Sequence, residues 1–487
     1  MPGALESGPA LAGLGLTLSE LASLCRGVGE AGEGPVSKIT VDSRLCGPGA
    51  VFVALRGQSR DGHGFIQRAL EAGALAAVAG EGYPAGPRII RVADTLAALG
   101  DMARGVRLRS GAKVAAVTGS VGKTTVKEML RGIFESRHPG GETLVTPGNF
   151  NNLIGLPLTL LSLGAGTRVA AVELGASDFG EIERLTRIAV PDAGLVTAAG
   201  EGHLEFFGAL AGVARAKGEL YRNLPPWATA VVNAGDAPMM AEARAFGGRK
   251  LYFGLGPPLP MAEGVFVTGR REDGLDGQDV GLHGPGFPGD ARVRLRLLGP
   301  HNALNAAAAA AVAVALGFGW EDIREGLGRA EAFAGRLRPM RSGAGYYVLD
   351  DSYNSNPSSA SAALEFLGAM APGWERCAIL GDMLELGAGS RERHGRLGAL
   401  AARAGLAWLA LVGGEAESMA KGAIGAGLPE SRVATFGSGA EAAGWMAGRA
   451  SERSVILVKG SRGVGLETAV GALLGTQTEG GSGRDAV

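Results

Sequence analysis

Two hydrophobic patterns alternate along most of the chain. Short continuous apolar runs, typical of buried parallel strands, are separated by segments whose apolar residues recur at helical spacing. Strands that alternate with helices predict an α/β protein with mostly parallel sheets. The predicted strands are residues 38–41, 50–55, 113–118, 169–174, 194–197, 229–233, 251–253, 346–349, 377–380, 406–412 and 455–459.

The pattern also predicts three domains. A chain of 487 residues exceeds what a single hydrophobic core usually supports, so about three domains are expected. We assign them to residues 1–111, 112–334 and 335–475, and we expect the polar, glycine-rich residues 476–487 to form a disordered tail. Alternating short runs between residues 254 and 298 predict antiparallel strands on a flank of the central sheet.

Two local features of the first domain are also predicted. Residues 18–25 form an amphipathic pattern, with Ser19 as a candidate helix cap. Residues 104–111 are rich in arginine and glycine, so we expect them to form a linker to the central domain.

Composition and charge favour a globular cytoplasmic protein. The net charge is −1, so nothing indicates nucleic acid as a partner. Cys25, Cys46 and Cys377 are scattered without metal-ligand spacing, which fits a reducing compartment. The first residues lack the basic start of a signal peptide, and the longest apolar run, residues 306–316, is too short to cross a bilayer. We therefore expect no membrane insertion.

The stretch KVAAVTGSVGKTTVKEMLRGIFE, residues 113–135, carries the clearest chemistry. It predicts a buried strand, a glycine turn and a helix, which together form a phosphate cradle. Lys123 can reach terminal phosphates, and the Thr124 hydroxyl can join a Mg²⁺ shell. The strict phosphate-loop pattern requires a glycine where this chain has Val117, and the alternative is an ordinary turn that contains a lysine. We expect an ATP-using protein.

Polar residues follow several predicted strands, at the sheet edge where ligands bind in such folds. Glu173 closes one strand and His203 follows another, so both could join Thr124 around metal ions. Because Mg²⁺ prefers oxygen ligands, His203 indicates a second metal site, unless it is a structural loop histidine. Lys217 lies on a predicted helix downstream of His203, and its side chain could simply face solvent.

A second polar surface is predicted in the third domain. Polar loops follow three of its strands, at residues 350–359, 381–387 and 459–463. A cleft between this surface and the phosphate loop would suit an enzyme that joins two substrates next to ATP.

A series of motifs across nearly the whole chain resembles the Mur ligase family of peptidoglycan synthesis. These motifs are GSVGKTT, GNFNNLIGLPLTLL, VELGASDFGEIERL, HLEFFG, ARAKGE, GPHNALNAAAA, AGRLRP, DDSYNSNP, GDMLELG and KGSRG.

The resemblance implies both a fold and a reaction. The family has an N-terminal UDP-substrate domain, a central phosphate-loop ATPase domain and a Rossmann-like C-terminal domain. DDSYNSNP with GDMLELG is typical of members that join D-alanyl-D-alanine to UDP-N-acetylmuramoyl-tripeptide through an acyl phosphate, and the DNPR motif of the diaminopimelate- or lysine-adding members is absent. ATP and Mg²⁺ are the implied cofactors, and we expect a monomer.

The resemblance also implies roles for individual residues. Lys123, His203 and Lys217 are implied catalytic residues, and Lys217 matches a lysine that several members convert to a carbamate, which the sequence leaves open here. Thr124, Glu173 and His203 are the implied metal ligands. The implied ATP-binding residues are Gly119, Ser120, Val121, Gly122, Lys123, Thr124, Thr125, Asn302, Arg336 and Asp351. For Asn302, near the start of a helix with a small-residue face, the alternative is a role in packing only. The implied substrate-binding residues are Asp42, Ser43 and Arg44 on the UDP side and Asn354, Asn356 and Arg462 on the dipeptide side, although Arg462 is equally well explained by pairing with a nearby acid.

Two other functions are alternatives to a Mur ligase. Folylpolyglutamate synthetase and cyanophycin synthetase share the architecture, but they should lack the N-terminal DSR domain in this form. A phosphate-loop module that binds ATP without ligation belongs to a different functional class, and turnover that depends on both substrates would exclude it.

Overall fold

The computed structural model describes residues 11, 13–29, 33–57, 60–202, 204–260 and 262–475. The predicted tail at residues 476–487 therefore lies outside the described residues, as does His203. Within the described ranges the strands form three sheets, and most neighbouring strands are parallel, as the sequence predicts.

The N-terminal sheet is small and entirely parallel. Its elements are α1 (Leu18–Leu24), β1 (Lys38–Thr40), β2 (Ala50–Val53), α2 (Ile66–Glu71), β3 (Ala76–Gly80), β4 (Ile89–Val92) and α3 (Thr95–Ser110). The strand order is β1-β2-β3-β4.

The predicted cap of α1 is wrong by two residues. Thr17 caps the helix: its hydroxyl accepts from the Glu20 N–H at 3.2 Å, and the Glu20 carboxylate accepts from the Thr17 N–H at 2.9 Å. This reciprocal pair needs a side chain that accepts a hydrogen bond, most often Glu or Gln, three residues after the cap. Residue 22 is alanine, so Ser19 could not form the same pair.

The predicted linker at residues 104–111 is also wrong, because its first seven residues form the end of α3. Gly105 does not break the helix; it permits close packing, since a Cβ there would lie 2.5 Å from Leu24 of α1. Gly111, with φ of 67°, then ends the helix in the left-handed conformation. Gly105 is thus explained by helix packing, although the local sequence predicts a break in the chain there.

The central sheet carries the phosphate loop. Its elements are β5 (Lys113–Thr118), α4 (Lys123–Arg137), β6 (Thr143–Val145), α5 (Gly155–Leu160), β7 (Val169–Glu173), α6 (Glu181–Ala189), β8 (Ala193–Val196), α7 (Leu204–Phe207), α8 (Leu210–Arg222), β9 (Thr229–Asn233), α9 (Ala237–Glu242), β10 (Arg249–Leu255), β11 (Gly264–Glu272), β12 (Gln278–His283), β13 (Arg292–Leu295), α10 (Pro300–Ala315) and α11 (Trp320–Arg329). The parallel part of the sheet runs in the order β11-β10-β9-β8-β5-β7-β6, and β12 and β13 continue it antiparallel beside β11, as predicted for the flank.

The elements of the third sheet and its helices are β14 (Arg338–Arg341), β15 (Tyr347–Asp351), α12 (Pro357–Gly368), β16 (Glu375–Gly381), α13 (Ser390–Arg403), β17 (Trp408–Val412), α14 (Ala416–Gly425), β18 (Val433–Phe436), α15 (Gly439–Ala447), β19 (Ser454–Lys459) and α16 (Glu467–Leu474). The strand order is β14-β15-β19-β16-β17-β18, and the sheet is parallel except for β14.

Hydrophobic packing joins the first two sheets. One apolar cluster combines the N-terminal sheet, α1, α3 and one face of the central sheet, while α4, α10 and α11 cover the other face. The third sheet has its own apolar cluster on each face. No helix of the described chain is both long and apolar enough to span a membrane.

Candidate active site

The loop between β5 and α4 presents backbone N–H groups to an anion. Gly119 and Gly122 have φ values of 140° and 83°, which favour glycine. A Cβ on Gly119 would lie 2.0 Å from the Thr197 hydroxyl oxygen, so no side chain fits there. The N-terminus of α4 follows directly and adds its partial positive charge. The strand, turn and helix predicted from the sequence are confirmed.

Lys123 begins α4 and turns back over this loop. Its ammonium group donates to the Gly119 carbonyl oxygen at 2.7 Å. Burial lowers the pKa of Lys123, with the Glu173 carboxylate opposing that shift and the Arg336 guanidinium adding to it. Lys123 and Arg336 line the same cavity. With Arg462, three cations line this cavity against the carboxylates of Glu173 and Glu385, and the excess of positive charge favours an anionic ligand there.

The carboxylate of Glu173 is held at both oxygens. The Thr124 hydroxyl donates to Oε2 at 3.1 Å, and the Asn151 amide donates to Oε1 at 2.9 Å. Mg²⁺ commonly takes one or two protein oxygens and completes its shell with water and phosphate oxygens. The carboxylate of Glu173 and the hydroxyl of Thr124 therefore fit Mg²⁺.

The predicted metal role of His203 stays a prediction, because His203 lies outside the described residues. Elsewhere in the described chain, no group of three His, Cys, Asp or Glu side chains could hold a metal ion.

Lys217 is buried on α8, with 1% of its surface exposed, so the solvent-facing alternative is wrong. Its ammonium group lies 5.6 Å from the centroid of the Phe207 ring. Burial, reinforced by the Lys123 charge, lowers the pKa of Lys217 to about 7 against the opposing charges of Glu181 and Glu219. Much of Lys217 is therefore neutral near pH 7, which is the state that reacts with CO₂ to form a carbamate.

Two adjoining cavities of 310 and 160 Å³ lie between the phosphate loop and the loops of the third sheet. Both are lined by the phosphate loop and by Arg336, Asn354 and Asn356. Of the other implied residues, Lys123, Thr124, Glu173 and Arg462 line the larger cavity and Thr125, Asn302 and Asp351 line the smaller one, whereas Gly119 and Lys217 line neither. The cleft predicted between the second and third domains is thus present.

Two contacts shape the third-domain wall of these cavities. Asp351 accepts from the Lys459 ammonium at 2.6 Å, and Lys459 also donates to the Asn354 carbonyl oxygen at 3.1 Å. The Arg336 guanidinium lies 4.2 Å from the centroid of the Tyr353 ring. Within the described residues, the buried Nε of Arg336 has no hydrogen-bond acceptor, which leaves a donor available to a ligand.

The DSR turn does not line either cavity. Asp42 accepts from the Arg44 N–H at 2.9 Å, and the Arg44 side chain, 75% exposed, also pairs with Asp42. These hydrogen bonds hold the pKa of Asp42 below its ordinary value. The role of Asp42, Ser43 and Arg44 on the UDP side stays a prediction.

Comparison with known proteins identifies the family. The chain is 36% identical over 462 residues to UDP-N-acetylmuramoyl-tripeptide–D-alanyl-D-alanine ligase of Escherichia coli, covering 94% of this chain and 98% of that protein. The chain belongs to the Mur ligase family. Three family models match it in order: Mur ligase family, catalytic domain (residues 35–107), Mur ligase middle domain (117–313) and Mur ligase, glutamate ligase domain (335–462).

Other relatives of this Mur ligase agree over nearly the whole chain. The Bacillus subtilis ligase of the same name is 31% identical, covering 90% of this chain and 93% of that protein. The crystal structure of MurF from Acinetobacter baumannii has a TM-score of 0.83 at 33% identity, covering 94% and 99% of the two chains. MurF of Thermotoga maritima in complex with ADP has a TM-score of 0.77 at 28% identity, covering 90% and 97%. The fold predicted from the motifs is confirmed.

Sequence reasoning did not assign several residues of the Mur ligase cleft. Asn151 belongs to the GNFNNLIGLPLTLL motif and follows the short strand β6, which the hydrophobic pattern does not predict, so nothing in the pattern marks Asn151 as a residue at a strand end. Asn305 donates to Asn302 at 3.1 Å and lies three residues later on α10, where helical spacing could have indicated it. His301 also lines the smaller cavity, and burial lowers its pKa to about 4.

Proposed function

We propose that this Mur ligase joins D-alanyl-D-alanine to UDP-N-acetylmuramoyl-tripeptide and converts ATP to ADP and phosphate, in peptidoglycan precursor synthesis. The observation that carries the proposal is the match, over nearly the full length, to ligases that bear this name. The relative in complex with ADP supports ATP as the nucleotide substrate. We further propose a cytoplasmic monomer.

The proposed reaction has two steps. A carboxylate is a poor electrophile, so an oxygen of the tripeptide carboxylate first takes the γ-phosphoryl group of ATP and ADP leaves. The neutral amine of the dipeptide then attacks the carbonyl carbon of this acyl phosphate. The C–N bond forms, phosphate leaves and the amine loses a proton. Positioning and charge neutralisation supply most of the catalysis in such phosphoryl transfers.

The residues of the central sheet serve the first step in this proposal. Backbone N–H groups of residues 119–125 hold the ATP phosphates, and Lys123 neutralises the charge that builds up on the transferred phosphoryl group. Thr124 and Glu173, with His203 at a second position, would hold Mg²⁺, which neutralises phosphate charge when bound. Asn302, Arg336 and Asp351 are proposed to contact the nucleotide.

The loops of the third sheet serve the second step. Asn354, Asn356 and Arg462 line the larger cavity together with Lys123, so a dipeptide there would lie near the transferred phosphoryl group. Guanidinium groups bind carboxylates well. We therefore propose Arg462 as the partner of the dipeptide carboxylate, and Asp42, Ser43 and Arg44 as contacts on the UDP side.

Substrate choice tests the proposal directly. We expect D-alanyl-D-alanine to stimulate ADP release in the presence of UDP-N-acetylmuramoyl-tripeptide, as measured by a coupled ADP assay. meso-Diaminopimelate or L-lysine with the UDP-muramoyl-dipeptide should give no stimulation. The opposite preference would keep the family and overturn the proposed substrate pair, whereas ATP hydrolysis independent of both substrates would indicate a module without ligase activity.

Domain closure is a further expected result. We propose that domains with boundaries near residues 111 and 335 move relative to one another, and that ATP and the UDP-substrate together close the cleft to keep water from the acyl phosphate. The apolar cluster shared by the first two sheets supports a motion in which mainly the third domain moves. Solution scattering should show a smaller radius of gyration with both ligands than without, and equal dimensions would contradict closure.

A further inference from the structure

One buried lysine on α4 has no part in the proposed reaction. Lys127 follows Lys123 by one helical turn and is 1% exposed. Its ammonium group donates to the Thr146 carbonyl oxygen at 2.9 Å, lies 3.5 Å from the Gly148 carbonyl oxygen and lies 3.1 Å from a carboxylate oxygen of Glu128.

These carbonyl groups belong to the loop of residues 146–152, which follows β6 and is named the β6 loop here. Both ends of the β6 loop contact Glu173. The Thr146 hydroxyl accepts from the Glu173 N–H at 3.0 Å, and the Asn151 amide donates to the Glu173 carboxylate at 2.9 Å. The Asn151 carbonyl oxygen also accepts from the Gly175 N–H at 2.8 Å. The β6 loop therefore surrounds the strand end that carries Glu173.

A buried ammonium group at this place is costly unless hydrogen bonds compensate for the lost water. An apolar side chain would fill the same space at less cost if packing alone were needed. Charge-assisted hydrogen bonds to backbone carbonyls are stronger than neutral ones and hold a loop in one conformation. The hydrogen bonds of the Lys127 ammonium group thus stabilise one conformation of the β6 loop.

We propose that Lys127 is a positioning residue for the ATP site. By fixing the β6 loop, it holds Asn151 against one oxygen of Glu173, so that the other oxygen stays beside the Thr124 hydroxyl. Partners that orient a metal ligand typically contribute tenfold or more to metal affinity or activity. The inference rests on the proposed metal role of Glu173 and Thr124.

The test uses Lys127→Met, which keeps the length of the side chain and removes its donor. Calorimetric titration of ADP at a series of MgCl₂ concentrations should show an about tenfold higher half-saturating Mg²⁺ concentration, with ADP binding in EDTA unchanged. Lys113→Met is the control for losing a lysine that donates to a backbone carbonyl: the exposed Lys113, at the opposite end of β5, donates to the Leu316 carbonyl oxygen at 2.9 Å. Loss of thermal stability without a change in Mg²⁺ dependence would overturn the proposal.

A second pair of variants tests whether Lys127 acts through Asn151. In an Asn151→Ala background, Lys127→Met should change the half-saturating Mg²⁺ concentration by less than about twofold, and additive effects would overturn the proposal. If Lys127→Met does not fold, Lys127→Leu, which also lacks a donor, takes its place, and a folded Lys127→Leu variant with wild-type Mg²⁺ dependence counts against the proposal. Glu173→Gln tests the metal role of Glu173 separately from the positioning role of Lys127. Unchanged Mg²⁺ dependence in Glu173→Gln would refute the metal role itself.

Discussion

Replacing Lys123 by alanine should lower turnover by about a thousandfold or more while leaving the fold intact. The Lys123 ammonium donates to a carbonyl group of the phosphate loop and lines the cavity that holds Glu173 and Arg336. In the proposed reaction its charge would act on the transferred phosphoryl group, where charge spreads over the oxygens in the transition state. The measurement is steady-state ADP release at saturating ATP, UDP-muramoyl-tripeptide and D-alanyl-D-alanine.

Lys421→Ala is the control for Lys123→Ala. Lys421 lies on α14 with 79% of its side chain exposed and is not among the lining residues of either cavity of the cleft. Its loss should leave turnover near the wild-type value. Thermal unfolding should give similar midpoints for the two variants. Near-normal turnover in a folded Lys123→Ala protein would reject the role given to this lysine.

The second large effect is expected at Lys217. If Lys217 carries a carbamate, Lys217→Ala should be almost inactive and partly rescued by acetate, because a small carboxylate can replace the missing anion. Burial already lowers the pKa of Lys217 to about 7, so the neutral amine that reacts with CO₂ is abundant above pH 7 and declines below it. Turnover of the variant with and without acetate is the measurement.

Two further results would decide the state of Lys217. A fully active Lys217→Ala protein would exclude a catalytic role, carbamylated or not. A carbamate carbon signal in NMR spectra recorded with ¹³C-labelled CO₂, absent from Lys217→Ala, would establish the modification. Because the carbamate adds a negative charge beside a site that holds Lys123, it would also offset the positive charge there.

The local sequence pattern was enough to predict some features of the fold but not others. The phosphate loop was predictable because a strand, two glycines and a helix N-terminus are defined by neighbouring residues. The end of α3 was not, because Gly105 is explained only by its contact with Leu24, far away in sequence. Strand β6 was missed because it is three residues long and its pairing with β7 is non-local.

The sequence by itself determined the α/β class, the phosphate loop, the polar strand ends and, through its motifs, the family. These depend on residue type and spacing, which are local. The tertiary structure alone decided that Lys217 and Lys127 are buried and that Asn151 reaches Glu173. It also decided that the DSR turn does not line the cleft, whereas Arg336 and Asn354, which the family motifs already assign to ligand binding, do. The physical reason is that burial and charge contacts depend on which distant elements pack together, and helical or strand periodicity carries no information about that.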